Sequence, residues 1–323
     1  MKLTTLRPLA AILLACTLTA CAPAASPSDS TAQSGSSVSS EAQAVTFTDD
    51  LGRTVTVEHP ERVAALIGSF ADIWCLAGGQ STLVATANDA WTSFDLGLDD
   101  SVLDLGGVKE PSFEILLSAQ PDLVLASCNT TANVDMRSSL EQANIPVAYF
   151  DIQHFSDYLR MLDICTQLTG CPERYTQYGE EVGKVIDQAI ARQDGSAPTV
   201  LCMRTTGSSC KVKGSKDFLL GEMLADLGCV NVADQDSALL EDLSLEAIMA
   251  ADPDYIFVVL QGSDPTKAQE TLERTLLSNP AWSSLRAVQE NRFYTLEHSL
   301  YNVKPNARWG EAYEKLADIL YPQ

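Results

Sequence analysis

The sequence predicts an α/β protein of two Rossmann-like lobes joined by one long α-helix. Short apolar strands alternate with helical stretches in both halves of the chain, the signature of βαβ units and a largely parallel sheet. Between the halves, residues 154–194 keep helical spacing through Leu159, Leu162, Cys165 and Leu168, then Tyr175, Tyr178, Val182, Val185 and Ile186. Finally, the two halves share a segment: S-F-E-I-L-L-S-A-Q-P-D from Ser112 and S-L-E-A-I-M-A-A-D-P-D from Ser244 align without a gap at an offset of 132 residues.

The elements follow in order. Val45–Thr48 and Thr54–Val57 alternate around turn residues at 49–53, which predicts a β-hairpin. A buried strand at 63–67 leads into a helix from Gly68 to Leu76, stopped by Gly78 and Gly79. A strand at 83–87 precedes a polar, aromatic loop carrying Trp91 and Phe94. Helix 112–120, strand 122–126, helix 133–143 and strand 146–150 complete a first lobe over 45–153. Gly170 and Pro172 are placed to nick the long helix, and Gly195 to Pro198 end it. The second lobe, 195–323, repeats the plan. Its expected elements are strand 199–203, helix 216–227, strand 229–232, helix 244–251, strand 255–260, helix 266–277, strand 292–296 and a last helix from about 306 to 320. Ligands of open α/β sheets sit outside the carboxyl ends of the strands. The loops 68–72, 88–94, 127–133, 151–155, 203–215, 261–265 and 297–304 are therefore expected to line one cleft.

The N-terminus reads as a targeting segment. Lys2 and Arg7 precede an apolar run from Leu9 to Leu18, too short to span a bilayer. The sequence Leu18-Thr19-Ala20-Cys21 resembles the lipobox of bacterial lipoproteins. Residues 1–20 are then a signal peptide, Cys21 the lipidated first residue, and 21–44, rich in Ser, Ala, Gln and Pro, a flexible tether. The expected location is the outer face of the cytoplasmic membrane, held there by the lipid.

A formal net charge of −22 argues against a nucleic-acid partner, whose phosphates require a basic face. Seven cysteines besides Cys21 and the signal-peptide Cys16 contain no C-x-x-C spacing, and an odd number cannot all pair within a chain; buried thiols are expected. Neither G-x-S-x-G, Walker A, H-E-x-x-H nor G-x-G-x-x-G is present. No enzyme activity, no cofactor and no resident metal ion is expected, although His154 and His298 each follow a strand.

Positive charge is distributed unevenly. No acid occurs in 195–216, which holds Arg204, Lys211, Lys213 and Lys216, or in 298–310, which holds Lys304 and Arg308. In so acidic a chain these loops suggest a basic patch facing an anionic ligand. Arg204, Lys211 and Arg308 are the expected ligand contacts, with Trp91 and Tyr301 (and nearby Trp309) as apolar walls. Glu114 and Glu246 fall in the first turns of matched helices behind Ser N-caps, where a carboxylate favours the macrodipole.

The lipobox, the two lobes around one helix and the paired Glu-bearing segments resemble the substrate-binding lipoproteins of ABC importers for iron complexes and cobalamin. TDDLGRTVTVEHPERVAAL, PSFEILLSAQPDLVLAS and KPNARWGEAYEKLADILYP are similar to that family's opening, central block and ending. The resemblance implies the class III periplasmic-binding-protein architecture, also that of chelatases. It implies capture of an iron–siderophore, haem or corrinoid ligand in the inter-lobe cleft, and delivery to a permease dimer. Glu114 and Glu246 match the family's permease-docking glutamates. A haem or metal-ion binding protein of the same architecture and an exported chelatase-like enzyme are the alternatives.

Overall fold

The computed structural model describes residues 44–216, 218–241, 243–262 and 265–322, so the signal peptide, Cys21 and most of the tether lie outside the described residues. An N-terminal hairpin, β1 (Val45–Thr48) and β2 (Thr54–Val57), opens the chain in the register its alternation predicts. Asp49 closes the turn: its carboxylate accepts the N–H groups of Leu51 and Arg53 and the Arg53 guanidinium.

The first lobe carries a five-stranded parallel sheet of β3 (Val63–Ala65), β4 (Leu83–Thr86), β5 (Leu103–Asp104), β6 (Leu123–Ser127) and β7 (Val147–Phe150), in the order β5-β4-β3-β6-β7. Its helices are α1 (Gly68–Leu76), α2 (Asp89–Thr92), α3 (Phe113–Ser118), α4 (Thr131–Asp135) and α5 (Arg137–Gln142). Two expectations are corrected. The loop holding Trp91 contains α2, and the single helix at 133–143 is two short ones. The Tyr149 hydroxyl donates to the Asn133 carbonyl at 2.9 Å, taking the acceptor that Arg137 N–H would use in a continuous helix.

The long helical stretch is α6 (Phe155–Thr169) followed by α7 (Pro172–Tyr175), a π turn at Thr176–Glu180 and α8 (Glu181–Ile190). Gly170 ends α6 in the left-handed region at φ 71°, with Cys171 N–H donating back to Thr166 O at 3.0 Å. Pro172 restarts the helix at a position where its missing N–H costs nothing. The π turn forms where the Tyr158 hydroxyl, from α6, donates to the Tyr178 carbonyl at 2.8 Å.

The second sheet has the order β10-β8-β11-β12, from β8 (Thr199–Thr205), β10 (Val230–Asn231), β11 (Tyr255–Leu260) and β12 (Phe293–Leu296), all parallel. A further strand, β9 (Cys210–Lys213), runs antiparallel on the distal half of β8, so the expected loop 203–215 is largely a hairpin. Around it lie α9 (Leu219–Asp226), α10 (Ser237–Glu241), α11 (Leu245–Ala251) and α12 (Pro265–Leu272) with a π turn at Glu273–Leu277. Then come α13 (Arg286–Gln289), α14 (His298–Tyr301), a 3₁₀ turn at Asn306–Arg308 and α15 (Trp309–Leu320), which packs along α8. One core runs without a break from Leu125 and Phe150 through Tyr158 and Leu162 to Cys202, Phe257 and Trp309, joining both sheets through the helices between them. No helix of the described residues is long and apolar enough to cross a membrane.

The repeated segments have a structural cause. Ser112 Oγ accepts Ile115 N–H at 3.3 Å, and Ser244 Oγ accepts Ala247 N–H at 3.2 Å, so both helices carry the predicted N-cap. The matched aspartates tie each lobe's first strand to the strand that follows the repeat. Asp122 accepts the N–H groups of Glu61 and Arg62, and Asp254 accepts the N–H and hydroxyl of Thr199.

Candidate ligand-binding cleft

The sheet order reverses direction between β3 and β6, and the residues following these strands open onto a cavity of about 310 Å³. Its walls are Ile67, Ser69 and Phe70 after β3, Asp89 and Phe94 after β4, Ser127, Asn129 and Thr130 at the end of β6, Ile152 and Gln153 after β7, and Val303 and Lys304 from the other lobe. Asp89 and Val303 also border a larger space of about 800 Å³, completed by Leu260 to Gly262 after β11 and Glu297 to Ser299 after β12. A recess of about 180 Å³ between Asp72, Phe94, Lys304 and Arg308 continues the same cleft. The expected loops therefore meet, with one exception: none of these cavities draws on 203–215.

Backbone proximity sets the floor. A Cβ on Gly68 would lie 2.6 Å from Ala90 N, so only glycine lets α1 begin against α2. In return Gly68 N–H donates to Asp89 Oδ1 at 2.8 Å, and burial pushes the Asp89 carboxyl above its ordinary value. Across the cleft, Asn306 is wholly buried at φ 49°, and its amide donates to Ser69 O (2.9 Å) and Asp72 Oδ2 (2.8 Å). That contact fastens the start of the last helix to α1. Burial raises Asp72 to about 6 despite the Asn306 bond.

The expected basic patch is assembled differently. Arg308 is exposed at the edge of the recess, where its guanidinium is held by Glu297 at 3.1 Å and Glu311 at 2.7 Å. The Arg308 hydrogen bond holds the Glu311 carboxyl down to about 2. Lys315 joins the same two acids. Both carboxylates flank the acid-free window by one residue, which is why the window misread its charge. Arg204 lies within β8 rather than after it, opposite Lys211 on β9, and both are away from the cavities described. Tyr301 is 1 % exposed with its hydroxyl donating to Ala312 O, so its ring belongs to the core rather than to a ligand wall. Trp309 is buried against Phe155, and Trp91 is half-buried on α2 against the same core. His154 Nδ1 meets Glu222 Oε2 at 3.0 Å across the lobe junction. His298 does reach the larger cavity, pairs with Asn302 Nδ2 at 3.0 Å, and is shifted by burial toward its neutral form. Lys304 was visible in the sequence as one cation of the second window; its burial in the cavity wall was not.

Glu114 and Glu246 are exposed at the second position of α3 and α11. Ile115 and Leu117 beside Glu114 are 36 % and 41 % exposed, a small apolar fringe to one of the two charges. All seven described cysteines are unpaired thiols, and burial pushes Cys75 and Cys229 up to about 12 and Cys128 to about 11, well away from reactive thiolates. No group of three or more His, Cys, Asp or Glu among the described residues is placed to hold a metal ion.

Two α/β lobes with strand carboxyl ends facing one cleft, on a shared helical spine, define the architecture of a two-lobed ligand-binding protein. The model of the periplasmic binding protein family matches residues 63–300, and the chain belongs to that family. The iron-uptake system-binding protein of Bacillus subtilis (strain 168) is 26% identical over 321 residues, covering 94% of this chain and 93% of its own. A putative ABC transporter substrate-binding lipoprotein, YhfQ, of the same organism is 23% identical over 279 residues, covering 80% and 83%. Among solved structures, the periplasmic heme-binding protein RhuT from Roseiflexus sp. RS-1, in apo form, superposes with a TM-score of 0.65 at 24% identity, covering 81% of this chain and 98% of that one.

Proposed function

We propose that this protein captures a ferric chelate of the siderophore class between its lobes and delivers it to an ABC importer. The observation that carries the reading is the joined cleft. Spaces of about 310 and 800 Å³ share Asp89 and Val303 and are rimmed by hydrogen-bonding side chains, among them Ser69, Asn129, Gln153, Gln261 and Asn302. Such a site suits a compact ligand with many polar atoms and some apolar surface. The relatives named for iron uptake and ABC transport support the same reading. In it, 45–153 and 195–323 act as the two lobes and 154–194 as their spacer. Cys21 carries the lipid that keeps the protein at the outer face of the cytoplasmic membrane, and Glu114 and Glu246 dock on the permease dimer. Arg308 borders the recess, and Trp91 and Tyr301 pack into the core behind the cleft.

The test is a fluorescence-quench panel of ferric hydroxamates, ferric catecholates, ferric citrate, haem and cobalamin. Saturable binding of one ferric chelate with a dissociation constant of about 1 μM or below is expected. Binding of none of the five would overturn the reading. Haem is the second reading, favoured by one observation: His298 stands on the wall of the larger cavity with burial holding it toward its neutral form, the form that ligates iron. Selective haem binding lost in His298→Ala would establish it.

A further inference from the structure

Among the described residues, Lys304 is the one cation on the walls of both the central cavity and the recess, and it is half-buried there. Among the described residues it has no carboxylate within ion-pair distance and no hydrogen-bond partner, unlike Arg308 and Lys315 nearby. The acids that face it are committed elsewhere. Asp151 accepts the side-chain amides of Asn129 and Gln153, Asp157 accepts the N–H groups of Gln153 and His154, and Glu222 pairs with His154. Asp72, in the same recess, is taken by Asn306, and Asp89 by Gly68. A desolvated cation without a partner is costly to a fold, and its presence needs a compensating contact.

The backbone at Lys304 is also pre-set. Pro305 follows it directly, and Asn306 is fixed to α1 by its two hydrogen bonds. Little ordering remains to be done when a ligand arrives.

We propose that Lys304 is the anion-recognising residue of the cleft, its ammonium pairing with a carboxylate or other anionic oxygen of the bound chelate. The inference rests on the chelate-carrier reading and narrows it to anionic chelates. Burial lowers the lysine's pKa, with Asp151, Glu222 and Asp157 partly offsetting that from a distance, so the ammonium form is the one an incoming anion would strengthen. The side chain would then be a specificity determinant that the free protein carries at a loss of stability, a usual trade at binding sites.

Lys304→Met and Lys304→Arg separate this role from a structural one. The probes are ferric citrate, an anionic chelate, and ferrioxamine B, a cationic one, alongside melting of the ligand-free protein. Lys304→Met should weaken ferric citrate by about tenfold or more, the loss expected of a charge-assisted contact. It should leave ferrioxamine B unchanged or tighter, and raise the melting temperature by about 2 °C or more as the unpaired charge is removed. Lys304→Arg should retain most of the citrate affinity. Equal losses for both probes, or a lower melting temperature in Lys304→Met, would make the lysine structural and overturn the proposal. Wild-type protein that binds only ferrioxamine B overturns the lysine's role and leaves the carrier reading standing. Wild-type protein that binds no chelate of any charge overturns both.

Discussion

At the scale of single residues, the cleft is governed by polar groups placed where water is scarce. Asp72 is the clearest case. The folded protein holds its proton more tightly than the unfolded chain does, with a value near 6 against an ordinary 3.8. Its contribution to stability is therefore full below 3.8 and is lost as pH rises through about 6. Asp72→Asn keeps an oxygen to accept the Asn306 amide while removing the charge. The variant should be more stable than wild type at pH 8, by up to about 3 kcal/mol, with the advantage gone below pH 4. Urea denaturation at the two pH values measures it, and a variant less stable at pH 8 would mean the ionised carboxylate has a partner of its own. Such placement was only half legible in the sequence. Composition showed where acids were missing, and Lys304 and Arg308 do lie at the cleft, but whether a cation is neutralised depends on residues such as Glu297 and Glu311 just beyond the window. Tyr301 and Trp309 were misplaced because an aromatic next to a helix start is as often core as wall, and here Tyr301 is buried with its hydroxyl on Ala312 O of α15 while Trp309, the first residue of α15, is buried against Phe155.

At the scale of elements, the duplicated segment was legible almost entirely, because each of its letters has a local duty. Serine caps, Leu116 and Ile248 are buried, and aspartate fastens the neighbouring strand. Glutamate is the exception: neither Glu114 nor Glu246 makes an ion pair among the described residues, so the fold uses these charges only through the helix ends. Charges that a fold leaves free at matched sites are suited to steering and registering a two-fold partner. Glu114→Lys combined with Glu246→Lys should abolish uptake of the ferric ligand while leaving its affinity within about twofold of wild type, each helix giving up only its dipole contribution. Whole-cell uptake beside purified-protein binding checks this; transport at the wild-type rate would return both residues to helix capping. The elements that sequence reading missed are short or polar. Cys210–Lys213 alternates over only four residues and gains its pairing from β8, and α2 is a single turn fixed by Gly68. The break at Gly170 was foreseeable from Gly and Pro, whereas the π turn depends on a tertiary bond from Tyr158.

At the scale of the molecule, the continuous core through both sheets and the intervening helices makes the lobes one packed body, so the cleft is built in rather than assembled on binding. That architecture was legible because periodicity and an internal repeat are long-range signals that single substitutions do not erase. The ligand was not, because its contacts come from loops whose mutual positions only the tertiary fold sets. The proposed carrier holds a metal chelate between its lobes and hands it on unaltered. Native mass spectrometry of the protein isolated from its own cells tests this, and the same spectrum reads the mass of any lipid on Cys21. The expected result is one chelate per protein, released on mild denaturation with its mass and metal intact. Protein that carries no such ligand even after incubation with the chelate panel, or that returns the chelate chemically altered, would contradict it.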